Sequence, residues 1–183
     1  MLNNATVPVI GFIAPSGTGK TQLLKALITR LKSKGFDVAV IKHSHHNFEI
    51  DKPGKDSYEL RMSGATQMLI ASKYRWALIS ENESPKHEVT LNTLITQLDQ
   101  ENLDIILVEG FKFERFPKIE VYRFEATSSK PAYTPLFLSD PDIIAVAADK
   151  SLVPQNGIPL LDINDIKQIS QFIIHYFSLI KTP

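Results

Sequence analysis

The chain has 183 residues, with twenty Lys and Arg balanced by twenty Asp and Glu, five His and no Cys. That length suits one domain over residues 1–183 with a proper core, and zero formal net charge gives no global field toward nucleic acid or a membrane surface. The lack of Cys excludes a disulfide framework and a thiolate metal site, and no apolar run approaches the ~18 residues of a membrane span.

No basic region precedes the first apolar run, so no signal peptide is expected and a soluble cytoplasmic protein is the reading. In chain order, Val7 to Ile13 is a buried strand, Ala14 to Gly19 a tight loop, and a helix starts near Lys20. Ala14-Pro15-Ser16-Gly17-Thr18-Gly19-Lys20-Thr21 fits the phosphate-cradling pattern G-x-x-x-x-G-K-[ST] with Ala14 in place of the first Gly. Gly17 and Gly19 let the backbone wrap an anion with its N–H groups inward, and the helix start adds free donors and partial positive charge. Lys20 is placed to reach the β and γ phosphates and the Thr21 hydroxyl to ligate Mg²⁺. Ser16, Gly17, Thr18, Gly19, Lys20, Thr21 and Gln22 are therefore the nucleotide-binding candidates of this stretch. Leu24, Leu27, Ile28 and Leu31 sit at helical spacing, and Gly35 closes the helix.

Asp37 to His43 is a second strand, and the alternation strand–helix–strand argues parallel pairing with right-handed crossovers. Ligands in such sheets sit at the C-terminal strand ends, which draws attention to the long polar loop from Lys42 to Ser57. It carries His43, His45, His46, Glu49, Asp51 and Asp56. Three readings stay open: a metal site of imidazoles and carboxylates, an acid that completes a Mg²⁺ shell or orients the attacking water, and a solvated loop. Asp51 and Asp56 suit the second reading better than the histidines do, because Mg²⁺ prefers oxygen donors. A helix opens at Asp56-Ser57 and stops at Gly64.

Thr66 to Ser72 and Arg75 to Ser80 read as two short strands, a hairpin on the sheet edge with Trp76 packed beneath it. Thr90 caps a helix from Leu91 to Gln100 with Leu91, Leu94, Ile95 and Leu98 on its apolar face. Leu103 to Gly110 is a strand buried on both faces that ends in Glu109-Gly110, and Glu109 reads as an acid supplying Mg²⁺ coordination beside a phosphate loop or as a strand-end acid pointing into solvent. Phe111 to Lys118 interleaves Phe with Lys and Arg. It reads as a nucleotide-side loop or a partner contact, while the chain's neutrality argues against nucleic acid. Ile119 to Phe124 is a strand expected outside the parallel core. Asp142 to Ala148 is a late strand followed by Asp149, a candidate reader of guanine N1 and N2 or a simple turn acid. Ile158 to Asp162 is the last strand, and Asn164 caps a helix with Ile166, Ile169, Ile173 and Phe177 toward the core.

Several stretches together resemble the molybdopterin-guanine dinucleotide biosynthesis protein B (MobB) family of GTP-binding proteins. They are SGTGKT at Ser16 to Thr21, IKHSHHNFEIDKPGKDSYELR at Ile41 to Arg61 and LDIILVEGFK at Leu103 to Lys112, with support from PKIEV at Pro117 and AVAADK at Ala145. The resemblance spans nearly the whole chain. It implies a three-layer P-loop NTPase, with a mostly parallel central sheet flanked by helices and antiparallel edge strands. It further implies a homodimer with weak GTPase activity that assists a separate molybdopterin guanylyltransferase (MobA-type) in joining GMP to molybdopterin, with molybdopterin-bearing proteins as further partners. Carried onto this chain, Gly17 to Thr21 hold phosphate and Mg²⁺. Lys20, Asp51 and Glu109 are the catalytic candidates, and Thr21, Asp56 and Glu109 the metal candidates. His43, His45, His46 and Lys112 form a candidate cofactor or partner loop. A small-molecule kinase and a GTP-gated metal or cofactor chaperone are the rival expectations.

Overall fold

The computed structural model describes residues 2–44, 48–82, 89–124, 134–150 and 157–179. Contacts divide the chain into two compact units, residues 1–43 with 90–183, and residues 44–89.

The first unit is built on six parallel strands in the order β2-β5-β1-β6-β7-β8. These are β1 (Val9–Ile13), β2 (Val38–Lys42), β5 (Ile105–Glu109), β6 (Lys118–Tyr122), β7 (Ile143–Ala148) and β8 (Leu160–Asp162). Strand alternation sends successive side chains to opposite faces. Ile10 and Phe12 of β1 with Ile105 and Leu107 of β5 pack on one face against α1 (Lys20–Ser33) and α4 (Ile166–Tyr176). Val9, Ile106 and Val108 pack on the other face against Leu91 and Ile95 of α3 (Leu91–Ile95). The result is three layers, with β1 and β5 sealed at the centre.

The sequence accounts for the helix boundaries. Leu23, Leu24, Leu27 and Leu31 of α1 are buried at helical spacing. Its C-terminus closes in a Schellman motif, with Gly35 N–H donating to Lys32 O at 2.9 Å and Phe36 N–H to Leu31 O at 3.1 Å. Thr90 caps α3 as expected, its Oγ1 accepting from Thr93 N–H at 3.2 Å. The helix expected to reach Gln100 ends at Ile95. There the Thr96 hydroxyl donates back to Thr93 O at 2.7 Å, an alternative to continuing the helix, and a separate 3-10 turn follows at Gln100–Asn102. The last helix is capped by Asp165, whose Oδ1 accepts from Gln168 N–H at 2.9 Å, rather than by Asn164.

β6 departs most from expectation. It lies inside the parallel sheet between β1 and β7. Two of its charged residues are buried, Lys118 at 1% and Glu120 at 0% exposure. Both charges are answered locally, as buried charges must be. Lys118 Nζ lies 3.0 Å from Asp140 Oδ2 and donates to Glu114 O at 2.6 Å. Glu120 accepts from Leu136 N–H at 3.0 Å and Phe137 N–H at 2.7 Å.

The second unit holds α2 (Asp56–Met62) and an antiparallel hairpin of β3 (Gln67–Ala71) and β4 (Trp76–Ser80). The hairpin forms its own two-stranded sheet instead of edging the large one, and Trp76 is 65% exposed instead of packed beneath it. A period-two pattern specifies a strand but not the sheet it joins.

Candidate functional site

The loop from Ala14 to Gly19 leaves the C-terminal end of β1 and enters α1, so it sits where a parallel sheet gathers ligands. Gly17 and Gly19 have φ of 84° and 87°, a region that L side chains enter only with strain. A Cβ at Gly17 would meet open space, whereas one at Gly19 would lie 3.3 Å from Arg123 Nε. The loop braces itself. Thr18 is fully buried and its Oγ1 donates to Pro15 O at 2.9 Å. Lys20 Nζ folds back over the loop and donates to Ala14 O at 2.7 Å and Pro15 O at 3.2 Å. Ser16, Gly17, Thr21 and Gln22 are exposed along this surface.

Glu109 ends β5 directly beside β1, in register with Phe12, and its side chain is 13% exposed. Lys42, at the end of β2, lies 3.2 Å from Glu109 Oε1. His43 follows, its N–H donating to Glu109 O at 2.8 Å and its ring stacked on Phe111 with centroids 4.6 Å apart. The C-terminal ends of β1, β5 and β2 thus bring together the phosphate-type loop, one acid and one further lysine. These residues fit a nucleotide with Mg²⁺: glycines with open backbone, an ammonium over the loop, and oxygen donors from Thr21 and Glu109.

Asp149 directly follows β7, two strands from β1, and its Oδ1 accepts from Phe124 N–H at 2.9 Å. Lys112 is exposed, its Nζ 4.7 Å from the Phe113 ring centroid. His45 and His46 lie outside the described residues. Among the described residues no group of three or more His, Asp or Glu side chains gathers at metal-binding spacing.

Asp51 and Asp56 belong to the second unit. Asp56 is exposed at the first position of α2. Asp51 Oδ1 lies 2.9 Å from Arg61 Nη2, and its Oδ2 is buried without a hydrogen-bond partner among the described residues. Arg61 is also held by Glu81 at 2.6 Å and Glu49 at 2.8 Å. Its hydrogen bonds to Glu81 first, then to Asp51, raise its pKa above the ordinary arginine value.

Sequence reasoning missed Arg123. Its Nε donates to Thr18 O at 3.0 Å across 105 residues of sequence. The signal was a basic residue just past a strand, and it went unread because β6 was expected outside the sheet. Lys42 was likewise read only as part of the second strand and the start of a polar loop.

Residues 9–149 match the family described as Molybdopterin guanine dinucleotide synthesis protein B. The chain is 44% identical over 177 residues to the Molybdopterin-guanine dinucleotide biosynthesis adapter protein of Escherichia coli strain K12, covering 96% of this chain and 97% of that one. It is 41% identical over 177 residues to the protein of the same name from Haemophilus influenzae, covering 95% and 93%. The crystal structure of a MobB protein homolog from Bacillus stearothermophilus superposes with a TM-score of 0.68 at 19% identity, covering 93% of this chain and 97% of that one. The two share the fold, a mostly parallel central sheet flanked by helices. Among the described residues no helix is long and apolar enough to cross a membrane. With the family matched over most of its length and relatives above 40% identity along nearly all of it, this chain belongs to the molybdopterin guanine dinucleotide synthesis protein B family.

Proposed function

We propose that this protein is a GTP-binding adapter with weak GTPase activity that assists a separate guanylyltransferase in attaching GMP to molybdopterin. The observation that carries the nucleotide part is the loop itself. Gly17 and Gly19 hold it in left-handed turns at the head of α1, with the Lys20 ammonium 2.7 Å from Ala14 O. The adapter part is carried by relatives named as adapters at 44% and 41% identity.

Each residue has a defined task in this reading. Loop amides and the α1 N-terminus bind the phosphates, and Lys20 exchanges its carbonyl partners for phosphate oxygens. Thr21 and Glu109 would hold Mg²⁺, which would supply positive charge against the phosphates. Catalysis is then electrostatic and slow, because bound groups position charge without a dedicated base. Asp149 is assigned to the base, while Asp51, paired with Arg61, and Asp56 belong to the other unit. A homodimer is part of the proposal, and the exposed Leu69, Ile70, Trp76 and Leu78 of β3 and β4 offer apolar surface for it.

Calorimetry with GTP on the wild type and on Lys20→Ala tests the site. Affinity should fall about 100-fold or more, since a charge-assisted phosphate contact is lost. An unchanged affinity overturns the cradle. Co-precipitation with the guanylyltransferase in the free, GDP and GTP states tests the adapter role, and failure in all three overturns it.

A further inference from the structure

We infer that Arg123 is the positioning residue of the phosphate loop, holding the Thr18–Gly19 peptide so that the Gly19 N–H faces a bound polyphosphate. The inference deepens the phosphate-site reading above and rests on it.

Arg123 Nε donates to Thr18 O at 3.0 Å. The peptide between Thr18 and Gly19 is planar and trans, so its C=O and N–H point in opposite directions. A guanidinium that pulls the Thr18 carbonyl toward β6 therefore turns the Gly19 amide away from β6. The carbonyls of Ala14 and Pro15 are held separately, by Lys20 and Thr18. The two carbonyl-binding cations and the Thr18 hydroxyl together keep loop oxygens engaged, which an anion site requires.

The backbone that carries Arg123 is held on both sides. β6 pairs with both β1 and β7, and Phe124, the next residue, is tied by its N–H to Asp149 Oδ1 at 2.9 Å. The guanidinium rests on bare backbone: a Cβ at Gly19 would meet Arg123 Nε at 3.3 Å, Nη2 at 3.8 Å and Cζ at 4.0 Å. A side chain there would push the guanidinium back by a few tenths of an ångström. A second positive charge thereby stands beside the loop in the same chain as Lys20. It adds to the field that a triphosphate meets and favours more highly charged nucleotides.

The test uses the full chain with Arg123→Lys, Arg123→Gln and Arg123→Ala. The ¹⁵N–¹H signal of Gly19 is followed without nucleotide, and GTP and GDP affinities are measured by calorimetry. The inference expects the Gly19 signal to move in all three variants. It expects GTP affinity to fall about 10- to 100-fold in Gln and Ala, the range of one charge-assisted hydrogen bond, and less in Lys. The GTP loss should exceed the GDP loss, a difference that mere destabilisation would not produce. Should Arg123→Ala not fold, the Lys and Gln variants carry the same readouts. Wild-type binding of GTP with Arg123→Lys and Arg123→Gln equal to wild type and Gly19 unmoved overturns the inference alone. Wild-type protein that binds no GTP overturns the phosphate-site reading, and the inference with it.

Discussion

Glu109 and Lys42 face each other at the C-terminal ends of neighbouring strands, with Lys42 Nζ 3.2 Å from Glu109 Oε1 and 3.3 Å from Oε2. Lys42 is 56% exposed and Glu109 13%, so the carboxylate is the sheltered member of the pair. A mostly solvated lysine contributes little to stability, and it is easily exchanged for a divalent ion. The pair therefore satisfies Glu109 at the place where the proposed function needs a metal-binding acid.

Glu109→Gln should leave the melting temperature nearly unchanged while cutting Mg²⁺-stimulated GTP hydrolysis about 10-fold or more. Hydrolysis assays across a Mg²⁺ series, paired with thermal unfolding, check this. Hydrolysis equal to wild type would remove Glu109 from the metal site.

The two loop glycines should respond differently to alanine. Gly17→Ala meets open space and carries only the strain of a positive φ, about 1–2 kcal/mol, or a few degrees in melting temperature. Gly19→Ala carries the same strain and also crowds Arg123 at 3.3 Å, so it should be the more destabilising of the two without nucleotide. Differential scanning calorimetry of both variants decides it; equal melting temperatures would mean Arg123 yields freely.

Asp149 serves the fold through Phe124 N–H, and its proposed second task is guanine recognition. Asp149→Asn keeps an acceptor for that amide but loses the charge that meets two guanine donors. Competition between GTP and ATP should show selectivity falling about 10-fold or more in the variant, with binding through the loop retained. Retained selectivity would leave Asp149 as a turn acid.

Lys118 and Asp140 form a pair whose members are unequally buried, 1% and 19% exposed. Asp140→Asn strands a buried ammonium and should cost about 3–5 kcal/mol. Lys118→Met leaves a carboxylate with access to water and should cost less. Urea denaturation of both checks the order, and the reverse order would show that Glu114 O alone satisfies Lys118.

The central strands β1 and β5, the phosphate-type loop and the close of α1 were all legible in the sequence because each is written in neighbouring residues. An unbroken apolar run makes a strand buried on both faces, glycines permit left-handed turns, and Gly35 with Phe36 ends a helix by bonds to Lys32 and Leu31. Family membership was legible too, since long motifs carry it. Tertiary structure alone decided that β6 enters the sheet, that Lys118 and Glu120 are buried, that the hairpin forms its own sheet with Trp76 outward, and that Arg123 reaches Thr18. Those outcomes depend on partners remote in sequence: Thr18 is 105 residues from Arg123, and Phe137 is 17 from Glu120. A buried charge looks the same in a sequence as a solvated one. Its partner distinguishes them, and only the folded chain supplies that partner.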